Sequence, residues 1–271
     1  MHPILFKIDG LVIYTYGVIM AFAFLIAYFY MLYLARVSAQ EVGFYQDLFF
    51  WVMIVGILGA KLLYIIVEWR SVFSDFSFRG LVNCLRGGLV WYGGVVANLV
   101  FIYFYCKRKE KSFALVADTL SSPSAVGLAM GRWGCLMAGC CYGKPTHLPW
   151  AIVYPDHPIR HPMAGIPVHP SPLYESFGVF VIAWILYRVF RKQAGRGVCA
   201  ILLFLLYGVL RFFLEFFRGD PERGYVLPGV LSTSQFISLL IIPVSIYLLY
   251  RQLKAPFPKE AEPKPASKGS K

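Results

Sequence analysis

Apolar residues recur in blocks of about 20, the length a helix needs to cross the hydrocarbon core of a bilayer. The blocks fall near residues 12–35, 45–67, 88–106, 113–138, 172–190, 198–217 and 233–250. The pattern predicts an all-α integral membrane protein with about seven transmembrane helices. The fourth block is the least regular. Its DTLSSPSA stretch carries Asp118, Pro123 and several serines, which weaken the hydropathy and predict a break or kink. Residues 139–171 form a longer connection, read as a small head region. Residues 1–252 are taken as one polytopic domain, and 253–271, rich in Pro, Lys and Glu, as a disordered tail.

Composition excludes an ordinary soluble domain: 58% of residues are apolar, 15% are charged and the mean hydropathy is +0.62. The net charge of +12 would suit a nucleic-acid partner, but the basic residues are sorted by loop. Alternate loops hold Arg36, the KRKEK run at 107–111, Arg188, Arg191, Lys192, Arg196 and the Lys-rich tail, about 15 basic residues against about 8 on the other side. The positive-inside rule then sets the N-terminus outward, the C-terminus in the cytoplasm and the 139–171 head outward. Membrane lipid satisfies the excess charge, and no nucleic-acid partner is expected. HPILFKIDG lacks the basic region and cleavage site of a signal peptide, so the first span is expected to be retained. No internal repeat is evident, and an odd span count argues against a two-fold transporter plan.

Two arginines interrupt the apolar blocks, Arg132 in GRWGCLMAGCCYG and Arg211 in YGVLRFFLEFFRGD. A guanidinium at mid-bilayer costs roughly 2.5–3.5 kcal/mol or more, so each needs an anion, and lipid phosphate is the commonest within reach. On a helix, Tyr207, Arg211, Glu215 and Arg218 fall within an arc of about 90°. One reading of this stripe is a structural ion pair between Arg211 and Glu215. The other counts Arg218 as a second cation for a single carboxylate and leaves room for a phosphate. Around Arg132, the glycines at 127, 131, 134, 139 and 143 allow close approach of a helix or a ligand, with Arg132, Cys135 and Gly139 on one face.

Cys135, Cys140 and Cys141 precede His147, His157, His161 and His169 in the outward segment. Their spacing matches neither a CxxC pair nor an HExxH helix, so a zinc or copper site and a disulfide are the minor readings, small packing thiols beside a ligand are the main one, and no metal and no cofactor is expected. In RGGLVWYGG, Gly93 and Gly94 follow Tyr92, permitting intimate contact and holding Tyr92 near the outer boundary, where an aromatic-belt role is the alternative. HPSPLYES opens the next span with Glu175, which either orients an arginine or caps the helix N-terminus.

These segments together resemble the prolipoprotein diacylglyceryl transferase family. The resemblance runs in order through TYGVIM around Tyr16, GAKLLY at 59–64, RGGLVWYGG, GRWGCLMAGCCYG, HPSPLYES and YGVLRFFLEFFR. It implies a multi-pass enzyme of the bacterial plasma (inner) membrane with an outward head and a cavity open sideways to lipid. The implied partners are phosphatidylglycerol and prolipoprotein signal peptides bearing a lipobox cysteine, whose thiol receives the diacylglyceryl group with release of glycerol phosphate. By motif, Arg132 matches the family's phosphatidylglycerol-binding arginine, Arg211 a second essential arginine and Tyr16 the essential tyrosine of the first span. Arg132, Arg211, Tyr92 and Tyr16 are therefore assigned to catalysis. Arg132, Tyr16, Gly93, Gly94, Cys135, Gly139, Gly143, Glu175, Tyr207 and Glu215 are assigned to substrate binding. The chain departs from the family pattern where Tyr92 replaces a histidine, Cys135 and Cys140 replace asparagine and glutamate, and Pro172 replaces a glutamine. Since a free tyrosine titrates near pH 10, these changes leave the proton acceptor open.

Overall fold

The computed structural model describes residues 2–8, 11–69, 88–156, 161–193, 197–220, 224–227 and 230–254. Seven long helices occupy the described apolar blocks: α1 (Thr15–Val37), α2 (Val42–Val67), α3 (Trp91–Arg108), α4 (Phe113–Ala138), α5 (Ser171–Gln193), α6 (Val198–Leu214) and α7 (Thr233–Lys254). Five of them, α1, α2, α4, α5 and α7, are long and apolar enough to cross a membrane. The sixth, α6, is apolar but has 17 residues, about 26 Å at 1.5 Å per residue. In α3 the apolar run is diluted by Asn98 and by Lys107 and Arg108 in the last turn.

Three small antiparallel ribbons, which the hydropathy pattern did not predict, join this mostly helical set: β1 (Ile4–Ile8) with β2 (Leu11–Tyr14), β3 (Ile152–Val153) with β4 (Pro167–Val168), and β5 (Tyr225–Leu227) with β6 (Leu231–Ser232). Strands of two to five residues are too short to impose a period-2 signature. The β3–β4 ribbon belongs to the head, whose own core is Tyr142, Tyr154 and Val168 with Ile152 and Met163 against it. The tail predicted over 253–271 lies outside the described residues from 255 onward, and so does His157.

The chain divides into two compact units, residues 28–116 and residues 1–27 with 117–271. In the first, α2 and α3 meet along a glycine seam. A Cβ on Gly93 would come within 2.3 Å of the Gly59 carbonyl oxygen, and one on Gly94 within 2.8 Å of that of Gly56. Gly93 and Gly94 of RGGLVWYGG are therefore where two backbones touch.

α4 runs through Pro123 as one helix, so of the predicted break or kink the break is corrected. The polar residues that suggested it have local or neighbouring partners. Ser121 donates to the Ala117 carbonyl at 2.6 Å and Ser122 to Ala183 of α5 at 2.9 Å. Asp118 is fully buried and accepts from the backbone N–H groups of Gly197 at 2.8 Å and Ala200 at 3.2 Å, capping α6 from outside its own sequence. A carboxylate at a helix N-terminus also meets the positive end of the helix dipole. Asp118→Ala leaves two part-buried donors without that acceptor, and a loss of about 1–2 kcal/mol is expected. In a detergent thermal melt, Asp118→Asn should sit between wild type and Asp118→Ala.

The start of α7 carries its own cap. The Ser232 hydroxyl accepts from the Gln235 N–H at 3.1 Å while the Gln235 side chain accepts from the Ser232 N–H at 3.2 Å. This reciprocal box, readable as STSQ, fixes the turn that presents Ser234 to the site described next.

Candidate active site

Four helices of the second unit, α4, α5, α6 and α7, converge on a buried cluster of charge. Glu175, one turn into α5 and 3% exposed, is its hub. Its Oε1 lies 2.8 Å from Arg132 Nη2 of α4 and accepts the Tyr207 hydroxyl of α6 at 2.9 Å, while its Oε2 lies 3.8 Å from Arg211 Nη1. Arg211 Nη2 pairs with Glu215 at 2.9 Å and donates to Ser234 of α7 at 3.2 Å. Arg132, Arg211, Glu175, Tyr207 and Glu215 are thus brought together as expected. Glu175 is committed to the arginines rather than to capping its own helix.

The expectation of an unmatched Arg218 is corrected. Residue 214 is the last of α6, so Arg218 leaves the helical stripe. Its backbone instead bridges Gly143, with the Lys144 N–H donating to Phe217 at 2.8 Å and the Gly219 N–H to Tyr142 at 3.0 Å. There its Nε donates to Asp220 at 2.9 Å. Asp220 escaped the stripe argument because it lies beyond the helix end, although RGD placed it two residues away. With Asp220 included, Arg132, Arg211 and Arg218 are matched by Glu175, Glu215 and Asp220.

Among the described residues, Arg132 Nε and Arg211 Nη1 are buried N–H donors with no hydrogen-bond acceptor. Each such donor costs about 1–3 kcal/mol unless an acceptor reaches it. Both unsatisfied donors belong to arginines held by Glu175.

The glycines of the signature place this cluster. Gly127, Gly131 and Gly134 face α1, where a Cβ would meet Ala27 at 3.3 Å, Met20 Sδ at 3.2 Å and the Tyr16 ring at 3.1 Å. This is a small-residue packing seam, and Arg132 projects from it to Glu175. Tyr16 lies over Gly134. The α4–α5 contact is pinned by Trp133 Nε1, which donates to Ser176 at 3.0 Å, and by the Ser176 hydroxyl, which donates to Ala129 at 2.8 Å.

Gly139 and Gly143, expected near the lipid, serve the turn into the head. Gly139 has φ +75°, and a Cβ there would lie 2.9 Å from the His161 ring. A Cβ on Gly143 would lie 2.4–2.9 Å from His169 and Phe217 atoms, so no side chain fits. His161 is structural: its Nδ1 accepts from the Met163 N–H at 3.0 Å, which puts the proton on Nε2, donating to Gly139 O at 2.7 Å. Its ring stacks on Tyr154 at 4.0 Å.

Beside Arg132 lie three thiols. Arg132 Nη1 is 3.9 Å from Cys135 Sγ and 3.8 Å from Cys141 Sγ. Cys141 sits in the left-handed region, φ 59°, with its carbonyl held by the Ser171 hydroxyl at 2.8 Å. Hydrogen bonds from Cys135 and Cys140, then the charges of Arg218 and Arg132, hold the Cys141 thiol well below its ordinary value against the opposing effect of burial. Hydrogen bonds with Cys135 and Cys141, then burial, push Cys140 up.

Tyr92, Gly93 and Gly94 belong to the 28–116 unit. The Tyr92 ring meets Trp91 edge-on at 5.5 Å, and the two glycines lie in the α2–α3 seam. An open apolar groove of about 580 Å³ runs along α5 and α6 beside the head, lined by Leu148, Trp150, His169, Tyr174, Phe177, Gly178, Leu210, Phe213, Leu214 and Phe217.

Several apolar helices around a buried arginine–carboxylate cluster define a multi-pass membrane protein with a charged site inside its helical bundle. Residues 3–251 match the family model described as prolipoprotein diacylglyceryl transferase. The chain belongs to that family. It is 37% identical over 252 residues to the phosphatidylglycerol–prolipoprotein diacylglyceryl transferase of Clostridium tetani (strain Massachusetts / E88), covering 92% of this chain and 96% of the relative. It is 32% identical over 255 residues to the protein of that name from Finegoldia magna, covering 94% and 97%. The counterpart from Idiomarina loihiensis is 33% identical over 261 residues, covering 94% of each chain.

Proposed function

We propose that this membrane enzyme transfers the diacylglyceryl group of phosphatidylglycerol to the lipobox cysteine of a prolipoprotein signal peptide, the first step of bacterial lipoprotein maturation. The observation that carries the site assignment is the pair of buried, acceptor-less donors on Arg132 and Arg211.

The chemistry follows from that pair. The cysteine sulfur attacks the glyceryl carbon bonded to the phosphate oxygen, a C–S bond forms, and the C–O bond breaks with its electron pair leaving on glycerol phosphate. Negative charge grows on the departing phosphate, and two fixed guanidiniums in a dry site stabilise it. Glu175 and Glu215 hold both guanidiniums in place before lipid arrives, which removes reorganisation from the barrier. A cluster neutral before lipid entry also favours release of glycerol phosphate, which a net-positive pocket would retain. Tyr16 orients the headgroup over Gly134. The apolar groove along α5 and α6 has the lining an acyl chain requires, with few polar groups.

The assigned orientation has the N-terminus and the 139–171 head outward in the plasma membrane and the C-terminus in the cytoplasm. Its support is the loop charge asymmetry.

Cysteine is a few per cent thiolate near neutral pH and strongly nucleophilic, so Tyr92 is assigned positioning of the incoming thiol by a hydrogen bond. Purified protein, phosphatidylglycerol and a lipobox peptide should give a diacylglyceryl mass gain on the peptide cysteine. Tyr92→Phe should lower the rate about tenfold, and Tyr92→His should retain transfer. A general base is worth about 10²–10⁴, so a loss in that range for Tyr92→Phe would instead make Tyr92 the proton acceptor. Lipid binding by folded protein with no mass gain would leave a lipid-binding protein or a family member with another acceptor.

A further inference from the structure

The turn from α4 into the head gathers more sulfur than the transfer reaction uses. Cys135, in the last turn of α4, and Cys140 and Cys141, just beyond it, bring their three Sγ atoms within 4.8 Å of one another. The sequence spacing argued against a metal because it matches no familiar ligand pattern. The fold overrides spacing: Gly139 at φ +75° reverses the chain, and Cys141 at φ 59° turns its side chain back toward Cys135. A non-glycine residue held in that region marks a backbone constrained by its surroundings.

Four observations converge. The thiols need contract by only about 1 Å to reach the roughly 3.8 Å separation of sulfurs around one ion at metal–sulfur distances of about 2.3 Å. Cys140 is exposed, which gives an ion a way in. Arg132 Nη1 stands 3.8–3.9 Å from two of the sulfurs, placed to balance the negative charge of thiolates bound to a cation. Finally, Tyr154 is 2% exposed, its ring stacks on His161 beside Gly139, and its hydroxyl has no hydrogen-bond partner among the described residues. His161 is excluded as a ligand because both its nitrogens are occupied. Cys106 and Cys199 are buried on other helices.

We propose that Cys135, Cys140 and Cys141 form a binding site for a thiophilic d10 cation, zinc or monovalent copper, which ties the end of α4 to the head. Three thiolates suit monovalent copper. Zinc would take a fourth ligand, water or the Tyr154 hydroxyl. Binding exchanges S–H bonds for metal–sulfur bonds and releases the protons to water, so no oxidant or reductant is consumed.

The full-length protein in detergent, kept reduced and metal-free, should bind one equivalent of Zn(II) or of Cu(I), each titrated separately against a chromophoric chelator. The thermal transition should rise on binding. Each single Cys→Ser variant should weaken binding at least 100-fold. X-ray absorption of the loaded wild-type protein should show three sulfur neighbours for copper, or three sulfurs and one oxygen for zinc, which reads the site without any variant. Binding that survives in C135S/C140S/C141S, a first shell of nitrogen and oxygen only, or no binding by the reduced wild-type protein would overturn the proposal. The last result with a Cys135–Cys140 or Cys135–Cys141 disulfide in the protein as isolated would assign the cluster to redox chemistry instead.

Discussion

Arg132→Ala is expected to lower kcat/KM for phosphatidylglycerol about a thousandfold, measured as diacylglyceryl transfer to a lipobox peptide. Removing one preorganised donor from a developing anion costs about 10²–10³ in rate. Here the lost group is charged, shielded and fixed at 2.8 Å by Glu175. Arg132→Lys should recover little, because an ammonium cannot hold Glu175 through one nitrogen while presenting an Nε–H to a phosphate oxygen. Arg211→Ala should fall by a similar factor, and the double variant by much less than the product of the two, since both arginines act on one leaving group through one carboxylate. Thermal melts of each variant separate loss of chemistry from loss of fold. Folded Arg132→Ala protein with transfer within tenfold of wild type would sink the phosphate assignment.

Glu175→Gln should split the kinetic constants. The amide keeps the shape but removes the charge that orients Arg132 and Arg211 and accepts from Tyr207. Loss of orientation lowers kcat about a hundredfold, the order expected when reacting groups shift by about 1 Å. The cluster meanwhile gains one net positive charge, so anionic lipid binds more tightly and KM falls. Breaking a buried ion pair by removing one partner costs about 3–5 kcal/mol, so the melting transition should drop as well. Bound lipid should restore part of it, because ligand that binds only the folded state stabilises it. A Glu175→Gln protein with unchanged kcat and raised KM would mean that the carboxylate contacts lipid directly rather than setting the arginines.

The helices and the central site residues were legible in the chain because their causes are local. Runs of about 20 apolar residues must be helical in lipid, and an arginine inside such a run must find an anion. Those two arguments located α1 through α7 to within a few residues and singled out Arg132, Arg211 and Glu215. Small-residue spacing likewise marked both close helix contacts, Gly93–Gly94 against α2 and Gly127–Gly131–Gly134 against α1.

Other features depended on which segments meet. Asp118 weakened the hydropathy of α4, and only the arrival of residues 197–200 turns it into a helix cap. Arg218 looked unmatched because helical periodicity was carried past residue 214. The strand-like contact with Gly143 ends the helix there and gives Arg218 to Asp220.

By itself, then, the sequence determined the membrane class, the helix positions, the family and the arginines, since each follows from periodicity, length or the solvation of a single charge. Only the tertiary structure decided that Glu175 joins two arginines, that the charges balance, and that three cysteines with no familiar spacing share one point in space. Hydrogen bonds and ion pairs between residues tens of positions apart form only after the backbones have packed, and that information resides in three-dimensional proximity rather than in spacing along the chain.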